Sequence, residues 1–268
     1  MILFGRSVVL QIGIAGTVGK SFTDLHVDFK VTMSRNSTPN KASIKLFNPN
    51  KFTISLLQQK GVTVRLLVGY QVPKLIFQGE PIKDGVKLTY DGVTRVIEIE
   101  AKDGGSAYAD TQMNISFATQ TDLTTILGLI STKMGLPPGY IKPSTNIIYA
   151  NGITLNGTAG KILDRLAVSQ GCDWYIRDGV LFFVPYNEPS LDGVLSFSSL
   201  NGNLVGSPTP KKKGLEVKAL LEPSMRPGML FFVQSELYNG YYIAKNVSFE
   251  GNTGYETPFY VTVSGSAR

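Results

Sequence analysis

One histidine, one cysteine and one tryptophan bound the chemistry open to this sequence. A nucleophile–histidine relay has only His26 to draw on, and no serine stands in a Gly-x-Ser-x-Gly turn. His26 and Cys172 are far apart in sequence, so no Cys/His set has zinc spacing, and no Asp-x-Asp-x-Asp-Gly loop offers calcium a cage. Paired carboxylates remain, because glycoside cleavage needs only two acids at the right separation in space. Glu80, Asp91, Asp103 and Asp178 nevertheless stand in turn-like contexts, where Asp serves backbone geometry. The stretch Gly13-Ile14-Ala15-Gly16-Thr17-Val18-Gly19-Lys20-Ser21 ends like a phosphate loop. Five residues separate Gly13 from Gly19 where such a loop has four, and Phe22–Met33 continues as alternating strand instead of helix. Trp174 sits in a hairpin and reads as core, and His26 as a residue on the wet face of a strand. The residues therefore predict a protein that is not an enzyme, with no metal and no cofactor. The one cluster of charge is Lys211-Lys212-Lys213, inside Ser207–Gly214, where two prolines and a glycine predict an irregular loop. Water covers such a loop, or an acidic partner does.

Composition supports a structural part. The 268 residues suit about two domains. Charged residues make up 17% of the chain, against about 25% in an ordinary soluble domain. That deficit means a large core or a surface meant to be covered by other protein. No apolar run approaches the roughly 18 residues of a membrane span, and Met1–Arg6 lacks the basic start of a signal peptide. The net charge of +6 is mild and, outside the lysine cluster, scattered; nucleic-acid binders concentrate charge and interleave aromatics with it. A single cysteine excludes an intrachain disulfide and suits a reducing compartment. With 28 Gly and 14 Pro the chain is rich in turns, which points away from a helical bundle.

Period-two alternation runs through Val8–Ile14, His26–Met33 and Ala42–Leu46, then Val62–Tyr70, Leu75–Phe77 and Arg95–Ala101. Asp84-Gly85 and Asp91-Gly92 read as turns flanking a hairpin arm, Val86–Tyr90. Phe52–Lys60 reads as a short helix packing Phe52, Leu56 and Leu57. Residues 1–105 thus predict a first tube-like β-barrel. The period then changes. Asp122–Met134 and Thr158–Gln170 carry apolar residues at helical spacing, with Gly135 and Gly171 as stops. Asp173–Ile176 and Val180–Val184 form a hairpin around Asp178-Gly179. Residues 106–190 predict an α+β module. Leu215–Leu221, Met229–Gln234, Tyr241–Glu250 and Pro258–Gly265 are strands again, so residues 191–268 predict a second β-barrel region, with Gly202–Gly214 as a loop. The fold class is mainly β with a small α+β insertion and two tube-like barrels.

Three segments, in order, resemble the baseplate hub proteins of contractile-tailed bacteriophages, relatives of late control protein D and of secretion-system spike heads. The first is Ala42-Ser43-Ile44-Lys45-Leu46-Phe47-Asn48-Pro49 with Gly69-Tyr70, Ile76-Phe77-x-Gly79 and Asp103-Gly104. The second runs from Thr158 through Ile162-Leu163, Leu166-Ala167 and Gly171 to Trp174-Tyr175-Ile176-x-Asp178-Gly179. The third is Pro227-Gly228, Gly240-Tyr241-Tyr242-Ile243 and Val247–Gly251. Ser248-Phe249 stands where the family usually has a late histidine. The resemblance implies a homotrimer with two similar barrels per chain, adapting a sixfold tail tube above to a threefold central spike below. It implies neighbouring baseplate proteins as partners, DNA only in transit, no stable membrane insertion, and a place in the virion tail baseplate after synthesis in the host cytoplasm. Lys211, Lys212 and Lys213 then become a candidate partner-contact loop. The alternatives are a tail-associated glycan or peptidoglycan hydrolase, working through acidic residues, or a lone carbohydrate- or DNA-binding β module.

Overall fold

The computed structural model describes residues 5–14, 19–104, 111–254 and 258–268. The first region holds β1 (Arg6–Ile14), β2 (Lys20–Phe22), β3 (Val27–Ser34), β4 (Lys41–Phe47), α1 (Lys51–Leu57), β5 (Val62–Tyr70), β6 (Lys74–Asp91) and β7 (Thr94–Lys102). Alternation buries Val27, Phe29, Val31 and Met33 along β3, and Ala42, Ile44 and Leu46 along β4. The strands run β3-β4-β7-β6-β5-β1-β2 across the sheet.

β6 departs from expectation. Leu75–Phe77 and Val86–Tyr90 belong to one strand, and Asp84-Gly85 is no turn. The strand pairs with β5 up to Gly79, then with β7 from Glu80, and its register breaks between Pro81 and Val86. Asp84, at φ 60, takes the left-handed conformation the bulge needs. A bulge bends a strand, so one chain segment can serve two stretches of sheet. Asp91-Gly92 does open the hairpin turn. α1 is capped by Asn50, whose side chain accepts from the Thr53 amide, and buries Leu57. Phe52 is 67% exposed and not packed as expected.

The middle region holds β8 (Gln112–Phe117), β9 (Thr121–Asp122), α2 (Leu123–Lys133), β10 (Pro138–Ile141), β11 (Ile148–Tyr149), β12 (Ile153–Thr158), α3 (Ala159–Gln170), β13 (Cys172–Arg177) and β14 (Val180–Pro185). Both helices stand where periodicity placed them. Asp122 caps α2 by accepting from the Thr125 amide. Gly171, at φ 60, ends α3. Asp178 and Gly179, at φ 52 and 78, make the tight turn of the β13–β14 hairpin. The helices pack Ile126, Ile130, Ile162 and Leu166 against Trp174, Leu181 and Phe183 in a core of their own.

The last region holds β15 (Leu195–Ser198), β16 (Thr209–Lys211), β17 (Gly214–Leu220), β18 (Leu230–Gln234), β19 (Asn239–Asn252) and β20 (Phe259–Ala267). The loop expected over Gly202–Gly214 is partly ordered. Thr209–Lys211 pairs with β17 and leaves only Lys212-Lys213 as the turn. Proline at a sheet edge loses no ladder bond when its nitrogen faces outward, which is how Pro210 enters a strand.

Two sets of six strands share one order. In the first region it is β1-β5-β6-β7-β4-β3; in the last it is β15-β18-β19-β20-β17-β16. Each set reads the same way along the chain. β19 repeats the behaviour of β6, breaking register between Ala244 and Asn246 where it leaves β18. Two differences remain: β1 and β5 are antiparallel where β15 and β18 are parallel, and β2 has no counterpart. The sets do not stand apart. β3 pairs with β19 from Ser34 opposite Asn246 to Asp28 opposite Asn252, and one apolar interior continues through both.

Candidate functional site: module junction and open sheet edges

The acids singled out in the sequence are partly drawn together. Glu80, Asp103 and Asp178 line one cleft of about 250 Å³ between the first region and the module; Asp91 does not. Asp103 is buried, and burial pushes its carboxyl up to about 6 against two hydrogen bonds that pull it down. Those bonds come from the Asn40 amide at 2.7 Å and Asn40 Nδ2 at 2.6 Å, one to each carboxylate oxygen. Asn40 Nδ2 also donates to the Ile176 carbonyl of β13. Asp178 accepts from Arg226 Nε at 2.9 Å. Both acids are thus engaged in fastening one part of the chain to another.

Three arginines do the same work, and nothing in the sequence marked them. Arg35, in the β3–β4 loop, is buried. It holds Asp173 of β13 at 2.8 Å and donates to the carbonyls of Glu188 and Pro185. Lys245, at the register break of β19, reaches the same Asp173 oxygen at 3.0 Å. Burial and the nearby Arg35 charge lower the Lys245 pKa, against the pull of Asp173. Arg177 forms a fork on Asp192, at 2.8 and 3.2 Å, and lies 4.1 Å over the Phe182 ring. Burial pushes the Asp192 carboxyl up, but the bonds from Arg177 and Ser190 outweigh it and hold the group below its ordinary range. Arg226 ties Asp178 to the Leu75 and Pro223 carbonyls. The module is therefore seated by charge-assisted bonds at the seam where the two strand sets meet. No motif announces a lone arginine with distant partners, so the sequence holds no signal for them.

The remaining candidates stand apart from one another. His26 precedes β3 instead of lying within it; its ring is 3.0 Å from Asp28 and 2.8 Å from Thr253 Oγ1, edge-on to Phe47. Cys172 is buried at the start of β13. Trp174 is buried with Nε1 donating to Asp164. In the stretch that looked briefly like a phosphate loop, residues 15–18 lie outside the described residues, while Lys20 and Ser21 belong to β2. Lys211 pairs with Glu216 at 3.1 Å, and Lys212 and Lys213 are exposed at the hairpin tip. Among the described residues, no group of three or more His, Cys, Asp or Glu could hold a metal ion. Among the described residues, no helix is long and apolar enough to cross a membrane.

What the geometry does present is a long sheet. Eight strands run β16-β17-β20-β19-β3-β4-β7-β6. Their wet face is polar, with Lys45 bound to Glu98 of the neighbouring strand at 2.8 Å and Lys218 reaching across β20 to Glu250 at 3.7 Å. At the two ends, the outer edge of β16 and the outer edge of β6 beyond Gly79 have no strand partner among the described residues. Unpaired edges are templates for another strand.

Residues 7–265 match the family model of the baseplate hub gp41. The fold is similar to that of the 43 kDa tail protein of prophage MuSo2 from Shewanella oneidensis, at 14% identity and a TM-score of 0.68, covering 98% of this chain and 97% of that one. It is similar to a tail protein from Neisseria meningitidis MC58, at 11% identity and a TM-score of 0.65, covering 98% and 97%. A third similar structure is the E. coli c3393 protein, described as a component of the type VI secretion system with structural similarity to the T4 tail proteins gp27 and gp5. There the identity is 11% and the TM-score 0.62, covering 96% of this chain and 76% of that one. No curated protein matches the sequence.

Proposed function

We propose that this chain, which belongs to the baseplate hub gp41 family, works as a homotrimer in which six similar strand sets form a ring. Such a ring joins a sixfold tail tube above to a threefold central spike below. The observation that carries this reading is the repeated strand order, β1-β5-β6-β7-β4-β3 and β15-β18-β19-β20-β17-β16, within one chain. Three copies of a twofold repeat supply six near-equivalent positions, and closed rings satisfy strand edges that an isolated subunit leaves open. Residues 1–105 and 191–268 are the two barrel units, and 106–190 is the module fastened at their junction. The role is mechanical and not enzymatic: Asp103 and Asp178 of the module cleft hold the parts together, and the ring transmits force and passes DNA in transit. Its partners are the tube or tail-end protein, the spike and neighbouring baseplate proteins in the virion tail. The lysines at the β16–β17 tip, Lys212 and Lys213 above all, are a contact for an acidic neighbour.

The test is the mass of the purified chain across a concentration series, with images of the particle where it assembles. Three copies with sixfold pseudo-symmetry in projection are expected. Turnover of cell-wall glycan by the chain would favour the hydrolase instead.

A further inference from the structure

The two strand sets close differently at β1 and at β15. In the first set, β2 lies antiparallel along the outer side of β1, with Phe22 buried opposite Leu10 and Lys20 opposite Ile12. In the second, β15 holds the place of β1 by strand order, and no strand lies outside it among the described residues. A side chain lies there instead. Asn203 Nδ2 donates to the Ser196 carbonyl at 2.9 Å, and Asn203 Oδ1 accepts from the Ser198 amide at 2.8 Å. The Asn203 main chain belongs to the facing wall, its carbonyl accepting from the Leu220 amide at the end of β17.

Those two bonds follow the pattern of a parallel ladder, in which one residue donates to the residue before its opposite number and accepts from the residue after it. The Asn203 carboxamide does both around Phe197, so it stands in for one residue of a strand parallel to β15. Because β15 is parallel to β18, that strand has the direction of β18. β2 is antiparallel to β1, and β1 to β5, so β2 has the direction of β5. By strand order β5 and β18 are counterparts. Order and direction agree: the place outside β15 is the place of β2, held by a single rung.

Beside that rung a groove of about 430 Å³ opens between β15 and the end of β17. Buried Phe197 and Leu221 line it, and so does Val194, which is 52% exposed. A strand residue turns its N–H and C=O to the same side, so the Ser196 amide faces the groove together with its carbonyl. Among the described lining residues, Glu222 alone carries a charge.

We propose that β15 is a docking edge for an extended segment of a partner protein, which adds parallel to β15 and displaces the Asn203 carboxamide. The groove and β2 together give the chemistry of that segment. An aromatic or large aliphatic residue comes opposite Phe197, as Phe22 stands opposite Leu10. The residue two before it lies level with Leu195 and toward Glu222, since β17 runs opposite to β15. A lysine or arginine there, where β2 has Lys20, answers the Glu222 charge. Main-chain rungs supply affinity and the apolar anchor supplies selectivity. Until the partner arrives, Asn203 keeps the edge from pairing with arbitrary strands. The site is complete in one chain and does not depend on the ring.

The test is binding of a fluorescent peptide with the sequence of Gly19–Leu25 to the full chain and to its Asn203→Ala variant, read by anisotropy. The variant lacks the competing rung and is expected to bind about tenfold more tightly, the worth of two neutral hydrogen bonds. Phe22→Ala in the peptide should weaken binding by roughly tenfold or more. Ser196→Pro in the protein removes a main-chain N–H that faces the groove and leaves the β15–β18 ladder intact. It should weaken the peptide in both backgrounds without lowering the unfolding temperature, so the wild type alone decides the matter where Asn203→Ala fails to fold. Absence of saturable binding, or binding indifferent to Phe22→Ala and Ser196→Pro, overturns the docking edge. Equal affinity for wild type and Asn203→Ala overturns the displacement.

Discussion

Asp103 is the residue whose charge state is most exposed to test. Burial raises its carboxyl from 3.8 to about 6. A group raised on folding contributes its stability in full below the unfolded value and loses it as pH climbs through the folded one. Asp103 therefore favours the fold at pH 4 and taxes it at pH 7, by at most about 3 kcal/mol at 1.36 kcal/mol per unit. Asp103→Asn removes the titration, while the cost of turning an amide toward the Asn40 donors is independent of pH. The difference in unfolding free energy between the two proteins should shift by roughly 1–3 kcal/mol in the variant's favour between pH 4 and 7; a flat difference would refute the raised pKa. Arg35 makes a simpler case. Arg35→Ala leaves Asp173 with Lys245 as its one cationic partner and strips two carbonyls of a buried donor, a loss of about 3 kcal/mol. Denaturant titration checks it, and a loss under 1 kcal/mol would mean water replaces the guanidinium. None of this was legible in the sequence. Asp103 looked like a turn residue, and Arg35 like one of many scattered charges, because partners more than 60 positions away decided both.

At the scale of elements, legibility tracked length and period. Val62–Tyr70 was read to the residue, since nine alternating positions leave little room for another answer. β9 and β11, at two residues each, carry no period to read. The error at Asp84-Gly85 has a physical source: Asp and Gly supply a positive φ equally well to a turn and to a bulge. The error at Thr209–Lys211 has another, because proline disqualifies a central strand and not an edge. Gly171 shows a reading that held. Its φ of 60 ends α3, and a side chain there would find room, the nearest atom being Tyr186 Cε2 at 3.9 Å. Gly171→Ala should cost about 1 kcal/mol from backbone conformation alone. Thermal unfolding would show it, and a loss well above 2 kcal/mol would point to a clash the geometry does not contain.

For the whole molecule, the sequence carried the β, α+β, β succession and the family resemblance, and the family match agrees over residues 7–265. It did not carry the join. β3 and β19 meet across more than 200 residues of chain, and no local pattern encodes so distant a pairing. The shared strand order was equally hidden, since order is a property of pairing and the two sets differ in side chains. The proposed ring is what would give this repeat its purpose. Its most direct test is the native mass of the full chain, measured from nanomolar to high micromolar concentration. Three copies and no stable larger closed form are expected, with the trimer favoured as concentration rises. A chain that remains single at every concentration, or that settles at two or six copies, would contradict it.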